Sequence, residues 1–324
     1  MKKKILAAAS LLLPVTILCA CGGTPTQAFS ANWHRDTAIR DIQSGTSEKL
    51  EYAVTFEPSD SKELTLAYES GTYTTELTAM AKQLPDGDKT ETVYRYATKL
   101  DVKGAYTLNG AEKTFRDSVE SLVYFRSITN GLQPIESTKH VISTSPTGVT
   151  TEIDKAVTTY DYTFSVNYTN PLSKANVKFV QTLPAEAEKE KTVSLGKGVN
   201  HFDNEQLEFI LRGLDMASAV TLKTINPIDM NVTSVAMTET PKEKLESSFS
   251  FTMNGEAVTR DIVANEFSFG YKATNPGQAV TLVYAKKTDN ANNAYRNVML
   301  RRSVPVMQNL GTVHYTLVKA DFIQ

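Results

Sequence analysis

Tyr160-Asp161-Tyr162-Thr163-Phe164-Ser165-Val166-Asn167-Tyr168-Thr169 alternates without a break. Every even position is aromatic or Val, and every odd position is polar. A period of two places all the even side chains on one face of an extended chain, so this stretch reads as a strand with one face buried and one wet. Such a strand belongs to an antiparallel sheet, because parallel strands are covered on both faces and read as continuous apolar runs.

The same period recurs on both sides of it. Tyr94, Tyr96, Leu100 and Val102 alternate with Arg95, Lys99 and Asp101. Phe249, Phe251 and Met253 alternate with Ser248, Ser250 and Thr252, and Phe267, Phe269 and Tyr271 with Ser268, Gly270 and Lys272. Val313, Tyr315 and Leu317 do so with Thr312, His314 and Thr316. Further strands are expected near 50–56, 64–80, 119–128, 133–143, 176–183, 220–226, 232–237, 280–286 and 297–306. Asn109-Gly110, Asn130-Gly131, Asn254-Gly255 and Asp86-Gly87 are tight hairpin signals, since both residues of such a turn need positive φ. Asn170-Pro171 and Asn275-Pro276-Gly277 end strands because Pro has no N–H and pushes its predecessor out of helical geometry.

One helix interrupts the pattern. Asp203 and Gln206 are spaced for a capping box, and Leu207, Ile210, Leu211 and Leu214 follow at helical spacing. Glu205 and Glu208 lie near its start, where the helix dipole favours acids. Residues 112–125 carry helix-friendly Ala111, Glu112 and Lys113, but the core from Val119 to Phe125 runs into an Asn-Gly turn and is read as strand. The charged stretch 184–191 is expected to be an exposed loop or a single helical turn. It is also the best place to divide the chain into halves 32–190 and 191–324. No period of 20–50 residues marks a repeat array. The expected fold is mainly β, a large antiparallel meandering sheet or half-barrel with one helix near 203–215 packed on it.

Composition agrees. The 324 residues are 41% hydrophobic and 22% charged, a globular mixture that excludes disorder, collagen and coiled coil as the dominant state. With 34 basic against 36 acidic residues there is no global basic surface for nucleic acid. Two cysteines cannot build a disulfide framework.

The first twenty residues read as an address. Lys2-Lys3-Lys4 precedes an apolar run from Ile5 to Leu18, the plan of a secretory signal peptide and too short to span a bilayer. The run ends in Leu18-Cys19-Ala20-Cys21, which resembles the lipobox of bacterial lipoproteins, with Leu at −3, Ala at −1 and Cys at +1. The resemblance implies a diacylglyceryl thioether on Cys21, cleavage before it and stable attachment to a membrane, and Gly22 after it permits outer-membrane sorting. The alternative is an ordinary secreted protein whose signal happens to end in Cys. Loss of residues 1–20 leaves 31 basic against 36 acidic residues, a formal charge of −5. Residues 21–31 read as a flexible tether, residues 32–324 as the β domain starting near Trp33, and the location as extracytoplasmic.

Chemistry-bearing patterns are few. His34, His140, His201 and His314 stand at no metal spacing from one another, and nothing in the sequence calls for a cofactor. No nucleophile elbow, phosphate loop or paired-carboxylate signature singles out a catalytic residue. Asp289-Asn290-Ala291-Asn292-Asn293 comes nearest a calcium loop but lacks the terminal acid. Lys286, Lys287, Arg296, Arg301 and Arg302 make the C-terminal strands locally basic, either as a solvated face or as a contact for anionic headgroups and polymers. Tyr94, Tyr96, Tyr160, Tyr162, Phe164 and Tyr168 put large rings on one side of neighbouring strands. They form either a packed sheet face or an open apolar groove for a ligand.

The body also carries a resemblance. Phe202–Leu214 is similar to the helix of a family of uncharacterised bacterial envelope proteins, in which such a helix interrupts a long antiparallel sheet. Asn130–Ser137 resembles their central hairpin, and Leu310–Tyr315 their last strand. The resemblance implies a half-barrel wrapped around a helix, akin to the outer-membrane lipoprotein carriers, and a non-enzymatic envelope role with a hydrophobic ligand. Three functions are therefore open. The chain is an anchored lipoprotein holding a hydrophobic or envelope-derived molecule, a surface module docking envelope proteins or polymers, or a glycan hydrolase.

Overall fold

The structure, a computed structural model, describes residues 47–60, 63–84, 90–128, 131–148, 150–196, 201–213, 219–271, 279–286 and 297–323. Cys21, the 21–31 tether, Trp33, His34, Asp86-Gly87, Asn275-Pro276-Gly277, Lys287, Arg296 and the 289–293 stretch lie outside these residues.

Eight strands meander first. They are β1 (Ser47–Pro58), β2 (Leu64–Gln83), β3 (Thr90–Leu108), β4 (Ala111–Ile128), β5 (Gly131–Pro146), β6 (Val157–Tyr168), β7 (Lys174–Leu183) and β8 (Lys189–Ser194), each antiparallel to the next. The chain then passes through β9 (His201–Phe202) into the helical insert and returns as β10 (Thr221–Asn226), β11 (Asn231–Met237) and β12 (Lys242–Met253). It finishes with β13 (Glu256–Tyr271), β14 (Val280–Ala285), β15 (Met299–Pro305) and β16 (Gly311–Ile323). β16 pairs with β1 from Ser47↔Ile323 to Pro58↔Gly311, so the first and last strands join the two runs into one sheet.

β13 is long enough to serve two neighbours on one side. Its first part pairs with β12 and its last three residues with β11. β12 also meets β16 in parallel at Thr252↔Lys319 and Met253↔Ala320, which closes β12 to β16 into a five-stranded barrel continuous with the large sheet. The fold is the expected mainly β one, a curved antiparallel sheet with a helix against it.

The alternation is expressed as burial. In β6, Tyr162, Phe164, Val166 and Tyr168 are buried while Thr163, Ser165 and Asn167 are not. Asn109-Gly110 and Asn254-Gly255 have φ of 53°/80° and 50°/85°, the left-handed pair that lets β3–β4 and β12–β13 turn in two residues. Residues 111–128 are strand, as the Asn-Gly reading required. The 184–191 reading needs correction at its end, because Lys189–Ser194 pairs with β7 from Lys174↔Ser194 to Phe179↔Lys189. Only Val193 of that strand is buried, so it has no visible period. Its exposed Lys189, Glu190 and Lys191 are the charges that discourage further pairing at a sheet edge.

Where β2 bulges between Tyr68 and Ser70, β3 brings Gly104 against it. A Cβ there would overlap the Ala67 carbonyl oxygen and press on the Phe115 ring at 2.7 Å. Gly104→Ala should therefore cost about 1–3 kcal/mol, as overpacking does. Urea unfolding should show it as a lower midpoint at an unchanged slope.

Candidate functional site

The insert that follows β9 is a 3-10 turn (Asn204–Gln206), one α-turn (Leu207–Ile210) and a second 3-10 turn (Leu211–Gly213). The capping box is present. Asp203 Oδ1 accepts from the Glu205 N–H at 2.8 Å, and the Asp203 N–H donates to Gln206 Oε1 at 3.2 Å. Leu207, Phe209, Ile210 and Leu211 are all buried, and so are the polar residues Asp203, Glu205, Gln206 and Arg212. Only Asn204, Glu208 and Gly213 are half-buried, so the insert is largely enclosed rather than laid on a surface. Leu214, the last of its expected apolar set, lies outside the described residues.

Each buried polar side chain of the insert is met by a strand. Asp203 Oδ2 accepts from Ser137 Oγ of β5 and Tyr168 Oη of β6, both at 2.7 Å. Glu205 pairs with Lys139 of β5 at 3.3 Å. Glu208 accepts from Tyr73 Oη of β2 at 2.9 Å and Tyr96 Oη of β3 at 3.0 Å, and lies 3.7 Å from Arg302 of β15. Arg212 donates through both terminal nitrogens to Glu48 of β1, at 2.6 and 3.0 Å. Tyr284 of β14 donates to the Glu208 carbonyl at 2.9 Å, and Phe209 packs on Tyr96 and Phe125 with centroids 5.8 and 5.5 Å apart. The insert is thus held from β1 to β6 on one side and from β14 and β15 on the other.

Beside it lies a cavity of about 590 Å³, mouth included. One wall is the insert itself, through Asn204, Glu205, Leu207, Glu208 and Leu211. A second is the meander, through Tyr73, Tyr96, Thr98 and Ser121, and a third is Phe269, Val280, Leu282, Tyr284 and Arg302. Burial pushes Glu208 up from the ordinary carboxylate range, against the pull of Arg302 and the two tyrosine hydroxyls. Burial and the nearby Glu208 carboxylate push Tyr52, Tyr73, Tyr96 and Tyr284 well up, so their hydroxyls stay protonated as donors. The result is an apolar slot whose walls also carry a carboxylate, a guanidinium and the Thr98–Ser121 hydroxyl pair, 2.8 Å apart. This arrangement can orient an amphipathic molecule. It offers no activated nucleophile.

The six rings expected to line a groove are divided by the structure. Tyr96 lines the cavity, and Tyr168 fixes the start of the insert. Tyr162 and Phe164 pack with Phe179 of β7, with centroids 5.7 and 5.0 Å away. Tyr94 lies on Phe125 at 5.5 Å, and Tyr160 is half-buried against the core. The residues sequence reasoning missed are Tyr73, Glu208, Tyr284 and Arg302. Of the basic C-terminal group, Arg301 faces out to Glu246 at 2.7 Å and Lys286 to Glu243 at 2.6 Å, whereas Arg302 faces in over the Tyr315 ring at 4.7 Å.

The outer barrel face holds a serine–histidine–glutamate chain. Ser303 Oγ lies 2.9 Å from His314 Nδ1, and His314 Nε2 lies 3.0 Å from Glu57. Ser303 is paired on both flanks, with Thr281 and His314, so its backbone N–H belongs to a ladder and not to an oxyanion hole. These three form a surface network. His140 likewise pairs with Asp161 at 2.8 Å on the outside of β5 and β6. Among the described residues no group of three His, Cys, Asp or Glu side chains could hold a metal ion. Among the same residues no helix is long and apolar enough to cross a membrane.

No family model matches this chain. No curated protein matches it either. Among solved structures it is similar to the crystal structure of a β-barrel-like protein of domain of unknown function DUF1849 from Brucella abortus. The identity is 12% and the TM-score 0.46, over 87% of this chain and 100% of that one.

Proposed function

We propose that this protein is an extracytoplasmic lipoprotein, anchored through a diacylglyceryl group on Cys21, whose curved sheet holds a hydrophobic or envelope-derived molecule beside the buried insert. The observation that carries the ligand part is the cavity of about 590 Å³ between the insert and its two walls. Its walls are mainly apolar, with a few polar groups among them, as small-molecule sites require. The Glu208–Arg302 pair suits a headgroup, and Leu207, Leu211, Phe269, Val280 and Leu282 suit an acyl or other apolar portion. The anchor part rests on Leu18-Cys19-Ala20-Cys21 behind a basic and apolar leader. Two acyl chains give stable membrane attachment where one is marginal.

A docking module would want a contiguous exposed apolar patch. Among the described residues the exposed large apolar side chains are Leu183 and Leu245, at 52% and 56%, on different strands. That favours a ligand inside over a partner outside.

Intact-mass spectrometry of the protein extracted from its own membrane tests both parts together. The expected result is a chain beginning at a lipid-modified Cys21, with a small amphipathic molecule retained under native conditions and lost on unfolding. An unmodified Cys21 overturns the anchor, and an empty native complex overturns the ligand. Cys21→Ala should move the protein out of the membrane fraction or leave it uncleaved, as fractionation and mass would show.

A further inference from the structure

The meander carries a second cavity, of about 470 Å³ with its mouth included, that shares no lining residue with the first. It lies where β4 and β5 part. Their ladder runs as far as Ser118↔Ile142, while β5 continues along β6 to Pro146↔Val157. Beyond the fork the Thr144 N–H donates to Asp117 Oδ1 at 2.8 Å, and the Ser143 and Thr144 hydroxyls bond to the same carboxylate. Asp117 is only 5% exposed. Among the described residues no lysine, arginine or histidine lines this cavity. What lines the cavity with the carboxylate instead is a group of rings. Phe115 lies between Tyr106 and Tyr68, with centroids 5.3 and 6.1 Å away. Tyr106 is oriented by its own bond to the Thr144 carbonyl at 3.0 Å.

A buried carboxylate without a countercharge is costly, and ring faces carry negative potential. Both features repel an anion and attract a cation. A metal ion needs several hard oxygen ligands, and one carboxylate in an aromatic wall does not supply them. We infer that this cavity is a binding site for a small organic cation, a primary or methylated ammonium group, with Asp117 as its counter-ion and Tyr68, Tyr106 and Phe115 as its aromatic cage. The ammonium N–H groups or methyls take the place of the missing basic side chain, and the carbon stem runs out past Val306 and Met307. The inference is independent of what the first cavity holds.

Burial pushes Asp117 up to about 7. The other titratable groups facing it are Tyr68 and Tyr106, both pushed up out of the neutral range. Cation binding requires the ionised carboxylate, so affinity should rise with pH through about 7. Between pH 6 and pH 8 the ionised fraction grows about tenfold, and so should the association constant.

The test is calorimetric titration of the full chain with propylammonium chloride, tetramethylammonium chloride and, as the neutral counterpart, 1-propanol. Both cations should saturate one site at pH 8 and bind about tenfold more weakly at pH 6, and propanol should not bind. Asp117→Asn keeps an acceptor for Thr144 and should abolish cation binding. Phe115→Leu keeps the apolar volume but removes a ring, and should weaken binding several-fold. Phe115→Leu and the pH profile decide the matter if Asp117→Asn does not fold. Equal binding of propanol and propylammonium, a flat pH profile, or cation binding by Asp117→Asn at wild-type affinity would overturn the site. Ethanolamine titrated against a short-chain phosphatidylethanolamine then separates the sources. Tighter binding of the first marks a free amine, and of the second a lipid headgroup.

Discussion

Arg212→Met should destabilise the protein by about 3–5 kcal/mol, the cost of stranding a buried charge whose partner has been removed. The partner is Glu48. Both side chains are almost wholly buried, at 5% and 1% exposure, and they meet fork to fork. Lysine is a poor substitute, because a single ammonium cannot engage both oxygens of a planar carboxylate at once. Asn297 Nδ2 holds the Arg212 carbonyl at 3.0 Å, and the guanidinium lies 5.3 Å from the centre of the Phe209 ring. The residue therefore pins the end of the insert to the first strand. Its loss loosens a wall of the first cavity as well as the fold. Guanidinium unfolding of Arg212→Met, Glu48→Met and the double variant gives a cycle that isolates the pair. The double variant should lose less than either single one, because it leaves no unpaired charge inside. Losses under 1 kcal/mol for the singles would mean that water reaches the pair and that the insert is held by packing alone.

The strands were legible because their chemistry is local. Period-two stretches became β3, β6, β12, β13 and β16, and Asn109-Gly110 and Asn254-Gly255 turned where a left-handed pair was needed. The capping box announced the insert's start. What sequence could not supply is closure, since β1 meets β16 across almost the whole chain and no turn signal marks that pairing. β8 was missed because an edge strand with one buried residue has no period to read.

The site itself left a trace that alternation alone exposes. Arg302 stands two residues from Leu300 and Val304, Glu48 two from Leu50, and Asp117 two from Phe115 and Val119. Each charged residue sits on the apolar parity of its strand. Grouping Arg302 with Arg301 as one basic patch ignored that neighbours in a strand point opposite ways. Glu208 was harder. In the sequence it reads as a dipole-compensating acid at a helix start, and only the enclosing strands make it a half-buried carboxylate lining a cavity. The tyrosines Tyr73 and Tyr284 reach it from strands that are distant in sequence.

Acidification from pH 8 to pH 5 should make the protein more stable, the reverse of ordinary acid unfolding. Burial pushes Asp203 up to about 6 and Asp117 up to about 7. For Asp203 the neighbouring Glu205 adds to the effect, and the bonds from Ser137, Glu205 N–H and Tyr168 oppose it. In the unfolded chain both carboxyls titrate near 3.9. The folded state thus holds these two protons more tightly, and the stability they contribute is complete below about pH 3.9 and lost as pH rises through about 6 and about 7. Integrated from pH 8 to pH 5, the two together amount to about 4 kcal/mol. Glu208, also pushed up by burial, adds in the same direction. Glu246 works the other way, because Arg301 and Lys244 outweigh its burial and hold it below its usual value. Its contribution is lost as pH falls through that lowered value, so stability should pass through a maximum before acid unfolding sets in. Urea midpoints at pH 8, 6.5 and 5 measure the slope. Asp117→Asn and Asp203→Asn, which remove the titrating groups, should each flatten the profile between pH 8 and pH 5. A midpoint that stays level or falls from pH 8 to pH 5 would show that the hydrogen bonds these carboxylates accept outweigh their burial and keep them ionised inside the sheet.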